Sequence, residues 1–188
     1  MNLRSYCLVS MIVLATVSSM RASQSPKANP DAQVLADFTK RVKAYEDLRD
    51  KVDGGAATLR ETKDPKKISA AQEALAQRIR SARPDAKPGD IFSPEIRKKL
   101  LALLRPELKG KAGAETKVII AEENPGKLPL KVNAKYPEGE PVSTVPPNVL
   151  LSLPTLPEDI EYRFVSKHLI LRDARANIIV DFMLNAIS

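Results

Sequence analysis

The side chains best suited to chemistry in this sequence are its single histidine, His168, and a later aspartate, Asp181. A carboxylate beside an imidazole can orient the ring and stabilise its charged form, as a general base requires. Both lie within residues 161–183, where the pattern predicts a β-meander whose register would place them side by side on one face. A structural cross-strand hydrogen bond is the favoured interpretation of this pair, and general acid–base catalysis or ligand contact is the alternative.

A hydrolase would also need a nucleophile or a pair of carboxylates. Ser166 is close to His168 in sequence, but it falls in a predicted turn and in no nucleophile elbow. Adjacent carboxylates occur at residues 122–123 and 158–159, both beside prolines in predicted loops. The sequence therefore favours a non-enzymatic protein, with a small envelope hydrolase that uses His168 and Asp181 as the alternative.

Composition excludes several classes of site. One His and one Cys rule out multi-histidine metal sites, thiolate zinc sites and disulfide frameworks. A metal site made from His168, Asp173 and Asp181 would match no recognised ligand spacing, so we expect neither a metal nor another cofactor. The 188 residues are 43% hydrophobic with a mean hydropathy of −0.24, which is typical of one globular domain of ordinary size.

Residues 1–22 have the pattern of a secretory signal peptide. Arg4 precedes an apolar stretch, Cys7–Val17, which is shorter than the roughly 20 residues that span a bilayer. Cleavage is expected near Ser19 or Ala22, and an uncut signal anchor is the alternative. The sequence thus predicts export to the periplasm or the medium and removal of the only cysteine, and no segment of the mature chain is predicted to span a membrane.

The positive charge of the chain is concentrated before residue 111. The net charge is +7, and residues 23–110 contain 19 Lys and Arg against 13 Asp and Glu, whereas residues 111–188 contain 9 against 10. Solvated, ion-paired helix faces are the favoured interpretation, and a surface for an anionic envelope component or another protein is the alternative. Nucleic acid is disfavoured because aromatic residues do not alternate with the basic ones. The candidate surface consists of Lys40, Arg41, Lys43, Arg78, Arg80, Arg97, Lys98 and Lys99.

Apolar residues at steps of three and four predict three helices between residues 30 and 110. Asp31, Asp64 and Ser93 are the predicted N-caps, and the first two helices are expected to pack as an antiparallel pair. Residues 112–123 permit either a helix or a strand. The predicted apolar stripes are Val34, Phe38, Val42, Tyr45, Leu48 and Val52, then Ile68, Leu75, Ile79 and Ala82, then Ile96, Leu100, Leu103 and Leu104.

Eight prolines between Pro125 and Pro157 exclude a long helix or a central strand from that stretch. Residues 128–136 alternate in polarity and predict an edge strand. Residues 148–153 permit one or two helical turns. We therefore expect this part of the chain to wrap around the surface.

The end of the chain predicts three short strands within residues 161–183. Two-residue turns would pair Val165 with His168 and Leu171 with Ile178. A slip of one residue would scatter the apolar side chains, so this register is self-consistent. The predicted core face consists of Tyr162, Phe164, Leu169, Leu171, Ile178, Val180 and Phe182. The opposite face would hold two polar pairs, Glu161 with Arg172 and His168 with Asp181.

Together these elements predict an α+β fold, in which an N-terminal helical hairpin and a third helix pack on a small antiparallel sheet. A disordered leader over residues 23–29 would precede a single domain over residues 30–188. That domain would comprise three parts, namely a helical part at 30–123, a proline-rich wrap at 124–160 and a β-meander at 161–183.

Five short runs suggest relatives: Phe92–Ile96, Lys131–Pro137, Val145–Leu151, Leu153–Pro157 and Glu161–Val165. In these runs the chain resembles a set of uncharacterised bacterial exported proteins, which implies export and a shared fold and assigns no site. The C-terminal hairpin, residues 162–181, is also similar to the end of small periplasmic proteins of the nickel/cobalt-homeostasis type. That second similarity is short and implies no metal site. The expected function is that of a periplasmic or secreted accessory or binding protein.

Overall fold

The computed structural model describes residues 29–54, 63–123, 129–137 and 145–187. The predicted signal peptide, and the predicted leader up to residue 28, lie outside these ranges. Within them, helices precede a three-stranded antiparallel sheet, so the predicted α+β class is confirmed. The elements are α1 (Pro30–Asp53), α2 (Pro65–Ala82), α3 (Pro94–Glu107), α4 (Gly110–Glu123), α5 (Pro147–Ser152), β1 (Ile160–Val165), β2 (His168–Asp173) and β3 (Ile178–Met183).

Side-chain caps followed by proline start the first three helices. Asp64 and Ser93 cap α2 and α3 as predicted, and each accepts a hydrogen bond from a backbone N–H of the first turn. The prediction that Asp31 caps α1 was wrong. Asn29 is the cap, and its Oδ1 accepts from the N–H of Asp31 at 3.0 Å. Proline after each cap fixes φ where a backbone donor would be unused anyway.

The long helices form one layer in which α1 packs against both α2 and α3. Arg78 of α2 pairs with Asp53 at the end of α1, and Arg83, just beyond α2, lies over Tyr45. These contacts make α1 and α2 antiparallel, as predicted. Ile68 departs from the predicted stripe, because its side chain is exposed. The buried apolar residues of this layer are Phe38, Val42, Tyr45, Leu75, Ala76, Ile79, Ile96, Leu100 and Leu104.

Residues 112–123, which permitted a helix or a strand, belong to the helix α4. The turn that leads into it requires glycine at Gly110, where φ is +68°. Gly113 lets α4 approach the end of α3, because a Cβ there would lie 2.2 Å from the carbonyl carbon of Leu108. The predicted helical turn before Leu153 is confirmed as α5.

The register of β1 with β2 is the predicted one. Val165 faces His168 across a two-residue turn, and Glu161 faces Arg172. The Nη1 of Arg172 donates to the Oε1 of Glu161 at 2.6 Å, so the predicted charge pair is formed.

The register of β2 with β3 was predicted wrongly. Leu171 faces Asp181 instead of Ile178, and a β-bulge interrupts the ladder next to Leu171. The intervening turn covers residues 174–177 instead of two residues, because the Oδ1 of Asp173 accepts the N–H of Ala176 at 2.9 Å. A carboxylate that bonds to the backbone two or three residues ahead stabilises such a longer turn.

Because of this bulge, the last residues of β3 lie on the opposite face of the sheet from the one predicted for each of them. Ile178 and Val180 lie in the main core as predicted, but Phe182 packs on the opposite face. Met183 is buried in the main core, and Asp181 is completely buried as well. With this register Asp181 does not share a face with His168, so that prediction was wrong.

The second face of the sheet is covered by residues 129–137. Of the edge strand predicted over residues 128–136, the described part forms no regular strand but does lie along the edge of β3. An isolated bridge joins Lys135 to Ile178, and the N–H groups of Asn133 and Tyr136 donate to the carbonyls of Ile179 and Asn177. Asn133 has a φ of +64°, outside the extended region, so the segment is bent at this residue. A small second core results, made of Tyr136, Val165, Ile170 and Ile179 with Leu130 and Phe182 beside it.

Candidate functional site

His168 and Asp181, the predicted catalytic candidates, do not interact. The Nδ1 of His168 accepts a hydrogen bond from the backbone N–H of Asn185 at 3.0 Å. Burial lowers the pKa of the His168 imidazole, and the adjacent positive charge of Lys167 lowers it further. A paired aspartate would do the opposite, so the environment of this histidine differs from the one that a catalytic dyad provides.

Asp181 instead binds the connection between α2 and α3. Its two carboxylate oxygens accept the N–H groups of Gly89 at 3.0 Å, Ile91 at 2.8 Å and Phe92 at 2.8 Å. The N–H of Phe182 adds a fourth bond at 2.8 Å. A buried carboxylate whose lone pairs are occupied by backbone donors holds a loop to a sheet, and here it orients no imidazole. The geometry therefore does not support the hydrolase interpretation.

The other predicted acidic groups are also separated. The described residues contain no group of three His, Cys, Asp or Glu side chains that could hold a metal ion, so His168, Asp173 and Asp181 form no such site. Glu122 lies in the last turn of α4 and not in a loop, whereas Glu158 lies in the turn before β1 as predicted.

Most side chains of the predicted basic surface are engaged within the protein. Six of the eight donate to a carboxylate or a backbone carbonyl, whereas Lys40 and Lys98 are exposed and pair with no described residue. The surface is therefore less cationic than the sequence suggested. The engaged pairs are Arg41–Asp37, Lys43–Asp47, Arg78–Asp53, Arg80–Glu73, Lys99–Asp31 and Arg97 with the carbonyl of Leu184.

A buried polar cluster connects α1 to the end of β2. The hydroxyl of Tyr45 donates to the Oδ2 of Asp173 at 2.7 Å, and the Nη1 of Arg49 lies 3.8 Å from the same oxygen. Arg49 is 3% exposed and Asp173 is 0% exposed. Burial, and then the negative charge of Asp173, raise the pKa of the Tyr45 hydroxyl far above its usual range. Tyr45 is thus a fixed donor, and its ring provides a rigid wall.

Arg83 lies over the face of that ring. Its guanidinium carbon is 5.1 Å from the ring centroid of Tyr45, which is a cation–π distance. The Nη1 atom is buried and has no hydrogen-bond partner in the described part of the chain. Burial lowers the pKa of the Arg83 guanidinium, and the opposing effects of Tyr45, Asp90 and Asp181 do not offset it.

Arg83 lines a concave space of about 240 Å³ between α1 and the α2–α3 connection, which we name the arginine cleft. A second guanidinium, that of Arg41, lines the same space; its Nε donates to Asp37 and its Nη1 donates to the carbonyl of Asp90 at 2.7 Å. The arginine cleft is lined by Arg41, Ala44, Tyr45, Leu48, Arg83, Asp90 and Ile91.

A second concave region, the leucine groove, lies between α5 and β1. It has a volume of about 470 Å³, and its walls are mainly apolar. Leu150 is 48% exposed and Leu151 is 86% exposed, so two large apolar side chains of the groove face solvent. The leucine groove is lined by Val145, Leu150, Leu151, Leu153, Pro154, Leu156, Ile160 and Tyr162, with Thr155, Glu161 and Arg163 at polar positions.

Sequence reasoning missed the buried arginines. Arg49 falls four residues after Tyr45 and three before Val52, so it occupies the apolar stripe of α1. A charged residue on such a stripe signals a buried ion pair, and this signal was available. Arg83 offered no comparable pattern, because it lies just after α2 in the connection to α3.

No protein-family model, no curated protein and no solved structure matches the chain. The resemblance to bacterial exported proteins therefore stays a prediction. None of the helices in the described ranges combines the length and the hydrophobicity that crossing a membrane requires.

Proposed function

We propose that this protein is a non-enzymatic accessory or binding protein that is exported and contacts an anionic component of the cell envelope through its helical half. The observation that carries the proposal is the position of Lys40 and Lys98. These side chains extend from α1 and α3, two helices that pack against each other, and no carboxylate of the described residues neutralises them. The helical part of the chain also has the larger excess of basic residues.

A lysine without an ion-pair partner contributes more binding free energy to such a contact than a lysine that is already paired. An ammonium group that is already paired must leave its carboxylate before it can bind another anion, and the carboxylate then repels that anion. Lys40 and Lys98 avoid both costs. Lys43 and Lys99 do not, because they are paired with Asp47 and Asp31.

The test is sedimentation of the protein with phosphatidylglycerol vesicles and with phosphatidylcholine vesicles. The protein is isolated from the source cell, and its mass reveals whether cleavage near Ser19 or Ala22 has occurred. We expect binding to the anionic vesicles alone, and we expect it to fall steeply as salt rises from about 0.01 M to about 1 M, where the Debye length shrinks from about 30 Å to about 3 Å.

Two double variants locate the contact. Lys40→Gln with Lys98→Gln removes the free cations and should weaken vesicle binding roughly tenfold. Lys43→Gln with Lys99→Gln removes the same formal charge from engaged positions and should weaken it less. Absence of binding at low salt, or binding that salt does not affect, would refute the proposal, and equal losses in the two double variants would contradict the role of Lys40 and Lys98.

A further inference from the structure

The guanidinium of Arg83 makes no hydrogen bond within the described residues. The ring of Tyr45 supports it on one side, and its Nη1 is shielded from solvent. A buried N–H group that has left water without gaining an acceptor is unfavourable, and proteins usually provide such a donor with an ordered water or a ligand. Arg83 and Tyr45 both line the arginine cleft, so a ligand in that cleft would lie beside the guanidinium.

Neither of the carboxylates that act electrostatically on Arg83 forms a hydrogen bond with its guanidinium among the described residues. Asp181 accepts the N–H groups of the α2–α3 connection, and the Oδ2 of Asp90 accepts the N–H of Lys87 at 2.9 Å. Burial lowers the pKa of Arg83 despite both of them. Carboxylates of the protein balance both guanidinium charges, since Asp37 pairs with Arg41, so the feature that favours an anionic acceptor is the unpartnered N–H group of Arg83 and not a net positive charge.

The shape and lining of the cleft limit the classes of ligand that it can bind. A planar guanidinium matches the two oxygens of a carboxylate, and Ala44, Leu48 and Ile91 provide an apolar wall beside it. The volume of about 240 Å³ is below the range of about 300 to 1,000 Å³ that drug-sized ligands occupy. Inorganic phosphate has no apolar part for this wall, and Asp90 repels a dianion more strongly than a singly charged carboxylate.

We propose that the arginine cleft binds a small organic carboxylate, with the carboxylate on Arg83 and the apolar part of the ligand on α1. The carboxylate can belong to a free small molecule or to the C-terminus of a peptide, since both present the same group. This inference goes beyond the proposed function, because Lys40 and Lys98 do not line the cleft. Either proposal can fail without the other.

The test is titration of the full chain with benzoate, followed by NMR of the backbone amides. Benzoate should shift the amide signals of Leu48 and Ile91 in a saturable way, and the neutral isostere benzamide should not. Arg83→Met keeps the length and apolar stem of the side chain but removes the guanidinium, and it should weaken benzoate binding about tenfold or more.

Arg78→Met is the matched control. Arg78 is also a partly buried arginine of the α2 region with an unpartnered buried Nε, but it lies outside the arginine cleft. Its replacement should leave benzoate binding unchanged. If Arg83→Met fails to fold, the comparison of benzoate with benzamide on the unaltered protein still tests whether binding requires the carboxylate.

A leucine-terminated peptide, with a free or an amidated C-terminus, distinguishes the two sources of the carboxylate. Binding of either acid supports the proposal, and the tighter one identifies the source. Three results would overturn it: no shift with any carboxylate, equal shifts with benzoate and benzamide, or displacement of benzoate by inorganic phosphate at lower concentration.

Discussion

His168 is the one imidazole of the chain, so its titration can be followed without overlap from another histidine. Its Nδ1 serves as an acceptor for the N–H of Asn185, and that role is lost when the ring is protonated. Burial disfavours the charged form in addition. The lost hydrogen bond and the burial therefore both disfavour protonation of His168.

We predict that the pKa of His168 in the folded protein lies below 6.5, its ordinary value. Because the folded-state pKa is lowered, the unfolded chain binds the proton first as the pH falls. Stability should thus be complete above pH 6.5 and decline as the pH passes from 6.5 through the folded-state pKa. NMR titration of the imidazole measures this value. A pKa above 6.5 would mean that a carboxylate does pair with the ring.

At the scale of elements, the α3–α4 junction depends on one glycine. Alanine normally favours a helix over glycine by about 0.5 to 1 kcal/mol. At Gly113 the added Cβ would lie 2.2 Å from the backbone of Leu108, so the junction would have to open. In a Gly113→Ala protein the clash lowers the free energy of unfolding and the helix preference raises it. The clash is the larger effect.

Gly113→Ala should accordingly lower the free energy of unfolding by about 1 to 3 kcal/mol, the range for an overpacked site. Urea denaturation measures the change. Ala114→Gly, at an exposed position of the same helix, is the control and should cost only the helix preference of about 1 kcal/mol. A more stable Gly113→Ala protein would show that α4 does not contact the end of α3 in this way.

The elements that could be predicted from sequence depend on interactions between residues that are close in the chain. Proline after a capping side chain revealed the starts of α2 and α3, and alternation revealed the register of β1 with β2. The register of β2 with β3 depended on Asp173, whose bond to Ala176 lengthens the turn. A two-residue turn and a four-residue turn both fit the alternating pattern nearby. The bond from Asp173 to Ala176 selects the longer turn, and the alternating pattern does not reveal that bond.

At the scale of the whole molecule, Asp181 joins the helical layer to the sheet. Its oxygens bind the α2–α3 connection more than 85 residues earlier in the chain, since the bond to Phe92 spans 89 positions. The arginine cleft lies against the same connection, through Asp90 and Ile91. The site could not be predicted from sequence because its walls come from two segments, α1 and the α2–α3 connection, that meet only when α1 packs against α2 and α3.

Asp181→Asn should destabilise the fold by about 3 kcal/mol, because an amide presents an N–H₂ group to backbone donors in a fully buried place. Thermal or urea unfolding measures the loss. Asp37→Asn, which disturbs a half-exposed pair with Arg41, is the control and should change stability by less than about 1 kcal/mol. Similar stability of the two variants would contradict the joining role of Asp181.

The order of the elements along the chain also has a consequence for biosynthesis. A ribosome makes α1, α2 and α3 before the sheet that covers them, and the bond from Tyr45 to Asp173 closes a loop of 128 positions. Contacts that distant in sequence form slowly. The nascent helices therefore remain uncovered until β3 has been synthesised, so the chain stays open to chaperones for most of its synthesis. Such a delay is what the proposed export would require, because a translocation channel admits an unfolded chain.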